Sequence, residues 1–191
     1  MNNPFDPGYY GSEDLRQMGF RSIGDRVRIA KNCTIIGLEN IEIGSDVRID
    51  GFTTIVASGG TVRLGSFIHI GGGCHLAALD DLTIGHFSGV SQGVRIYTGS
   101  DDFSGKALAG PTVPPEYRRV TKAPVSIGPH CILGSGSVVL PGGNLGAGCA
   151  VGALSLVTKT LEPWGVYFGA PAKLIKRRRQ DMLAMAQALS G

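Results

Sequence analysis

Between Ile127 and Thr158 an aliphatic residue returns at every sixth position: Ile127, Leu133, Val139, Leu145, Val151 and Val157. Four residues after each of the first five stands a small one: Cys131, Ser137, Gly143, Cys149 and Ser155. Glycine follows the aliphatic at Gly128, Gly134, Gly146 and Gly152. A period of six fits neither the 3.6-residue turn of a helix nor the two-residue alternation of a sandwich strand. It fits a hexapeptide parallel β-helix, in which each unit sends one large and one small side chain inward.

The beat extends upstream as coils of three units. The first coil starts its units at Ile23, Ile29 and Ile35, and the second at Ile43, Ile49 and Ile55. The third uses Leu64, Ile70 and Leu76, and the fourth Ile84, Val90 and Ile96. These coils are 20 or 21 residues apart, so two or three extra residues enter at one corner per turn. The extras contain Leu38-Glu39-Asn40, Gly59-Gly60 and Asp80-Asp81, which favour turns. Coils five and six, from Ile127 and Leu145, are 18 apart and carry no insertion. The expectation is an all-β solenoid of about six coils, ~29 Å long at a ~4.8 Å strand spacing.

Three segments fall outside the beat and divide the chain into 1–22, 23–161 and 162–191. In the first, Ser12 reads as the N-cap of a short helix with acids in its first turn, covering the open end of the solenoid. Within the second, residues 97–123 have no beat and hold three of the ten prolines. A loop this long in a compact domain is most often functional. The third cannot continue the beat after Leu161 and reads as an α-helix from Ala172 to Leu189. Five of the seven residues from Lys173 to Arg179 are basic, which suits either a solvated face or a phosphorylated ligand.

Composition supports this picture. Thirty glycines in 191 residues would suggest disorder were they clustered, but they recur in phase with the corners. A net charge of +3 is too small to argue for nucleic acid. No apolar span or leader is apparent, so a cytoplasmic protein is expected. Cys33, Cys74, Cys131 and Cys149 all occupy the small inward slot, which makes them core residues and not metal ligands or disulfides.

The motifs Pro124-Val-Ser-Ile-Gly128, Val139-Leu-Pro-Gly142, Val157-Thr-Lys159 and Gly169-Ala-Pro-Ala-Lys173 give the chain a family likeness over residues 23–176. It resembles the left-handed β-helix acyltransferases, within them the galactoside and maltose acetyltransferase group. The opening YYGSEDLRQMGFRSIG and the stretch SDDFSG with PTVPPEYRRV look like members that modify sugars for surface polysaccharide. The resemblance implies acetyl-CoA as co-substrate, no metal, and a homotrimer with active sites between subunits. Carried onto matching positions, Thr158, Lys159, Lys173 and Lys176 would contact coenzyme A. Gly152 and Ala153 would let its pantetheine arm approach the backbone. Lysine supplies a point charge to each phosphate of that cofactor.

The catalytic base departs from the family pattern. Relatives place a histidine five residues past an aliphatic start, just before the long loop. That offset from Ile96 falls on Asp101, beside Asp102, and no histidine lies in residues 87–129. The remaining candidates are His69 and His75, both at the +5 corner position of their units, either of which would pair with Asp101 or Asp102 of a neighbouring subunit. Asp101 acting alone is a further candidate. An amine acceptor needs only to lose its ammonium proton, so a missing histidine favours N-acetylation of a nucleotide-linked amino sugar over O-acetylation of a hydroxyl. Two other classes are weighed. A γ-carbonic-anhydrase-like zinc enzyme would need histidines that converge, and a non-catalytic scaffold would need neither the loop nor the basic tail.

Overall fold

The computed structural model describes residues 3–190. Three parallel sheets form the sides of a prism, and the chain visits them in rotation. The first face contains Ser22–Ile23, Ile41–Ile43, Val62–Leu64, Leu82–Ile84 and Val125–Ile127, continued by single bridges at Leu145 and Leu161. The second face runs through Arg28–Ala30, Val47–Ile49, Ile68–Ile70, Gly89–Val90, Ile132–Leu133, Ala150–Val151 and Gly165–Phe168. The third contains Thr34–Ile36, Thr54–Val56, His75–Ala77, Arg95–Tyr97, Val138–Val139 and Leu156–Val157.

The six-residue beat works through burial. Ile29, Ile49, Ile70, Val90, Leu133 and Val151 stack as one buried column behind the second face. The small inward slots hold polar groups that point back to the backbone of the next coil. The Cys74 thiol donates to Ser91 O at 3.1 Å, Cys131 to Gly146 O at 3.2 Å, and the Ser137 hydroxyl to Gly152 O at 2.9 Å. Burying such groups is tolerable because each finds an acceptor there. The expectation of core thiols holds: all four cysteines are free, three are buried and Cys33 is half-buried. The Cys131 thiol is pushed above its ordinary pKa, first by the neighbouring Cys149 and then by burial.

The ends differ from the sequence reading. The N-terminal helix α1 spans Ser12–Arg16, but its N-cap is Gly11, whose N–H donates to the Asp14 carboxylate at 3.2 Å. The Ser12 hydroxyl instead accepts Val27 N–H at 2.8 Å, tying α1 to the first coil. Before it, Tyr9–Gly11 pairs antiparallel with Arg28–Ala30, which covers the edge of the second face. At the other end the solenoid does not stop at Leu161. Gly165–Phe168 adds a parallel strand, and a partial seventh turn results. Lys173–Arg177 then folds back antiparallel onto Gly165–Phe168, so the helix expected from Ala172 begins only at Met182 (α2, Met182–Ser190). Lys173 to Arg179 holds only two apolar residues, adjacent to each other, so it marks neither period and the open sheet edge decides for the strand.

The corner between the first and second faces carries a column of side chains in left-handed backbone. Arg26, Asp46, Phe67, Phe87, His130 and Trp164 have φ between 54° and 60°. Such backbone is costly for any residue with a Cβ. Here it aims every side chain along the edge, where Phe67 stacks on Phe87 at 4.7 Å and Phe87 on His130 at 5.3 Å. Gly148 fills the position between His130 and Trp164, and the Trp164 ring lies over the space a Cβ would fill.

Candidate active site

The expected residues divide between the middle and the end of the prism. His69 is not at a corner. It is the central, outward residue of Ile68–Ile70 on the second face, flanked by Arg48 and Gly89 in adjacent coils. His75 begins a strand of the third face, beside the Tyr97 ring at 5.6 Å. The two therefore point from different sides of the prism.

His69 has a partner that the sequence reading missed. Its Nε2 lies 2.7 Å from the Asp50 carboxylate of the preceding coil and 2.9 Å from an Arg48 nitrogen. Asp50 also accepts the Tyr9 hydroxyl at 2.9 Å and faces Arg48 Nε at 2.9 Å. Burial acts to raise the Asp50 carboxyl, but the hydrogen bonds from His69, Tyr9 and Arg48 outweigh it. Its pKa therefore falls below the ordinary carboxylate value. An ionised Asp50 orients the imidazole, as the carboxylate partner of a base must. One signal was available: aligning coils at their 20- or 21-residue offsets puts Arg48 beside His69, one corner from Asp50.

The loop 97–123 opens and closes as a hairpin, Gly99–Asp101 against Val120–Lys122. Its two aspartates have different tasks. Asp102 accepts hydrogen bonds from the Ser104 hydroxyl and from the backbone N–H groups of Ser104, Lys106 and Ala107. These bonds, with the Ser104 hydroxyl foremost, lower its pKa. Asp102, named above as a catalytic candidate, is held inside the loop by these bonds and shapes its turn. Asp101 accepts Gly110 N–H through Oδ2 at 3.1 Å, while its buried Oδ1 has no hydrogen bond and faces Arg118 at 3.6 Å. That oxygen keeps an unused hydrogen-bond acceptor site beside the Arg118 guanidinium.

The coenzyme candidates gather at the last coils. Ala153, Thr158, Lys159, Lys173 and Lys176 are exposed there. The arginines of the basic run are engaged within the chain. Arg178 donates to His130 O and Gly148 O, Arg177 to Pro163 O, and Arg179 pairs with Asp181. Lys159, Lys173 and Lys176 form no ion pair among the described residues. At Gly152, expected to let the pantetheine arm approach, the Phe168 ring of this same chain occupies the space a Cβ would fill. Its smallness serves internal packing.

Two structural facts bear on the rival classes. Among the described residues no group of three or more His, Cys, Asp or Glu could hold a metal ion. Nor is any helix among them long and apolar enough to cross a membrane.

No family model matches the chain. Known proteins do. It is 37% identical over 177 residues to the dTDP-4-amino-4,6-dideoxy-D-glucose acyltransferase of Escherichia coli, across 93% of this chain and 92% of that one. The chain belongs to the left-handed β-helix sugar acyltransferases. A solved relative is AntD, an N-acyltransferase from Bacillus cereus, in complex with dTDP and 3-hydroxybutyryl-CoA. It superposes with a TM-score of 0.90 at 34% identity over 96% of both chains. A maltose O-acetyltransferase from Clostridium difficile, 23% identical with a TM-score of 0.59 over 88% of this chain and 74% of that one, shares the fold.

Proposed function

We propose that this sugar acyltransferase transfers an acetyl group from acetyl-CoA to the amine of a dTDP-linked 4-amino-4,6-dideoxy sugar, a building block for surface polysaccharide. The observation that carries the reading is the near full-length match to an enzyme named for that acceptor. The AntD relative, moreover, was crystallised with the same amino sugar nucleotide and coenzyme A. In the reaction the amine nitrogen attacks the thioester carbonyl, a C–N bond forms, the C–S bond breaks, and the proton lost by nitrogen ends on the departing thiolate.

Asp101 is the proposed carrier of that proton, through Oδ1, which makes no hydrogen bond within the chain and lies 3.6 Å from Arg118. The AntD variants support it. One replaces a serine and another an aspartate ten residues further on, and Ser91 and Asp101 are the one serine-to-aspartate pair with that separation in this chain. They flank the strand Arg95–Tyr97 at opposite ends, so a site using both is best completed by a neighbouring subunit, which favours the homotrimer. Thr158, Lys159, Lys173 and Lys176 are the proposed contacts of coenzyme A, with Ala153 beside its pantetheine arm. Both substrates are soluble, which fits a cytoplasmic enzyme. A second reading makes His69 the base, because Asp50 orients it as a base is oriented; among the described residues His75 has no such carboxylate.

Thiol release from acetyl-CoA with the dTDP amino sugar, set against its hydroxyl counterpart at the same carbon, tests the acceptor. Amide formation with the amine alone is expected, and faster turnover of the hydroxyl compound would sink the proposal. Asp101→Asn should lower kcat about a hundredfold or more with coenzyme A binding intact. A larger loss from His69→Ala than from Asp101→Asn would transfer the role to the Asp50–His69 pair.

A further inference from the structure

A groove of about 700 Å³ crosses the outer side of the second face in the first three coils, lined by Arg26, Arg28, Arg48, Phe67 and His69 among others. It is remote in sequence from the loop aspartates and from the lysines of the last coils. We infer that it holds the nucleoside diphosphate of the acceptor, with Arg28 and Arg48 on the two phosphates and Phe67 beneath the base. This inference rests on the acceptor reading above.

Three features favour that occupant. Arg28 and Arg48 are direct neighbours in the parallel register, so their guanidinium groups rise from strands ~4.8 Å apart. Two linked phosphates can span such a column, and a guanidinium fork suits phosphate oxygens better than a point charge does. The pair is also partly preorganised. Arg48 is held by Asp50 and His69, whereas Arg28 touches only the Tyr9 ring at 5.8 Å and has no carboxylate partner among the described residues. Arg26 is matched by Asp46 at 2.6 Å, so the uncompensated charge falls on Arg28, in mid-groove.

The aromatic wall completes the match. Phe67 stacks on Phe87 with one ring face and lines the groove together with Asp46 and Val47. A planar base can stack there, while a simple anion has no use for it. Coenzyme A also carries a nucleotide, but its candidate lysines lie several coils away, at the opposite end of the prism.

Calorimetric titration of dTDP, inorganic pyrophosphate and coenzyme A, each against the full chain, tests the assignment. Arg28 is exposed and its loss leaves no carboxylate unpaired, so Arg28→Glu should fold normally. It should weaken dTDP at least tenfold and coenzyme A less than twofold. Arg48→Lys should weaken dTDP in the same direction, and rising salt should reduce the wild-type affinity. Wild-type dTDP should bind more tightly than pyrophosphate, a margin that shrinks in Phe67→Leu. Wild-type dTDP affinity in both arginine variants overturns the inference while leaving the acceptor reading in place, as does loss of coenzyme A binding instead. If the wild-type protein takes up coenzyme A yet binds no dTDP, both fall.

Discussion

The early and late halves of the second face have the same interior and opposite exteriors. Inside, Ile49, Ile70, Leu133 and Val151 are equally buried members of one column. Outside, the register lines up Arg28, Arg48 and His69 in the first three coils, then Gly89, then Ile132, Ala150 and Val166. The same parallel register runs through both halves. The repeat constrains what points inward, because close-packed interiors tolerate little change in volume. It leaves the outward slots to be filled for other reasons. A charged column opening onto a groove in one half, and apolar or small residues in the other, is the imprint of separate tasks on one scaffold.

If the interiors are equivalent, they should fail equivalently. Ile70→Ala and Leu133→Ala remove comparable side chains from the same column, and each should cost roughly 2–5 kcal/mol in a urea melt. A difference of more than about 2 kcal/mol between them would show that one half is held by something other than its core. The corners should behave differently. Gly148→Ala must adopt left-handed backbone and also displace the Trp164 ring, at a combined cost of about 3 kcal/mol. Gly73→Ala meets the same backbone demand in an early coil but has open space around it, so about 1 kcal/mol is expected. Equal losses would mean that Trp164 contributes nothing to the late corner.

The smallest effect concerns pH. His130 lies between Phe87 and Trp164, and its pKa is held below the ordinary value of 6.5, by burial first and then by the Arg178 and His86 charges. The folded protein therefore disfavours the imidazolium, and the unfolded chain takes up the proton first. Stability is highest above pH 6.5 and declines as pH falls through 6.5 toward the lower folded value. His130→Phe keeps a ring in the stack and should flatten that decline when melts are compared on either side of pH 6.5. An unchanged slope in the variant would assign the decline to other groups.

The fold was legible because the inward beat is a local signal that survives six repetitions. The four coil starts upstream of the loop all fall within or at the end of observed strands, and the cysteines occupy the slots their spacing indicates. The exposure of Lys159, Lys173 and Lys176 at the last coils matches their place outside the inward slots. Asp50 was not legible in the same way. It meets His69 only because the intervening residues complete one turn, and the coil offset that points to it runs through Arg48 and not through Asp50 itself. The two loop aspartates were equivalent in sequence. Their hydrogen bonds, from four donor groups to Asp102 but only from Gly110 to Asp101, separated them.

By itself the sequence determined a three-sided solenoid with free inward thiols, an interrupted fourth-to-fifth turn and a basic end. Periodic burial is written residue by residue, so a chain with this beat has one economical way to remove its aliphatics from water. Tertiary structure decided where the beat ends, since Gly165–Phe168 and Lys173–Arg177 become strands only against an existing sheet edge. It also decided which charges are spent and which remain. Arg178 is consumed by corner carbonyls while Arg28 has no carboxylate partner among the described residues, a difference that arises from contacts between coils and is invisible along the chain.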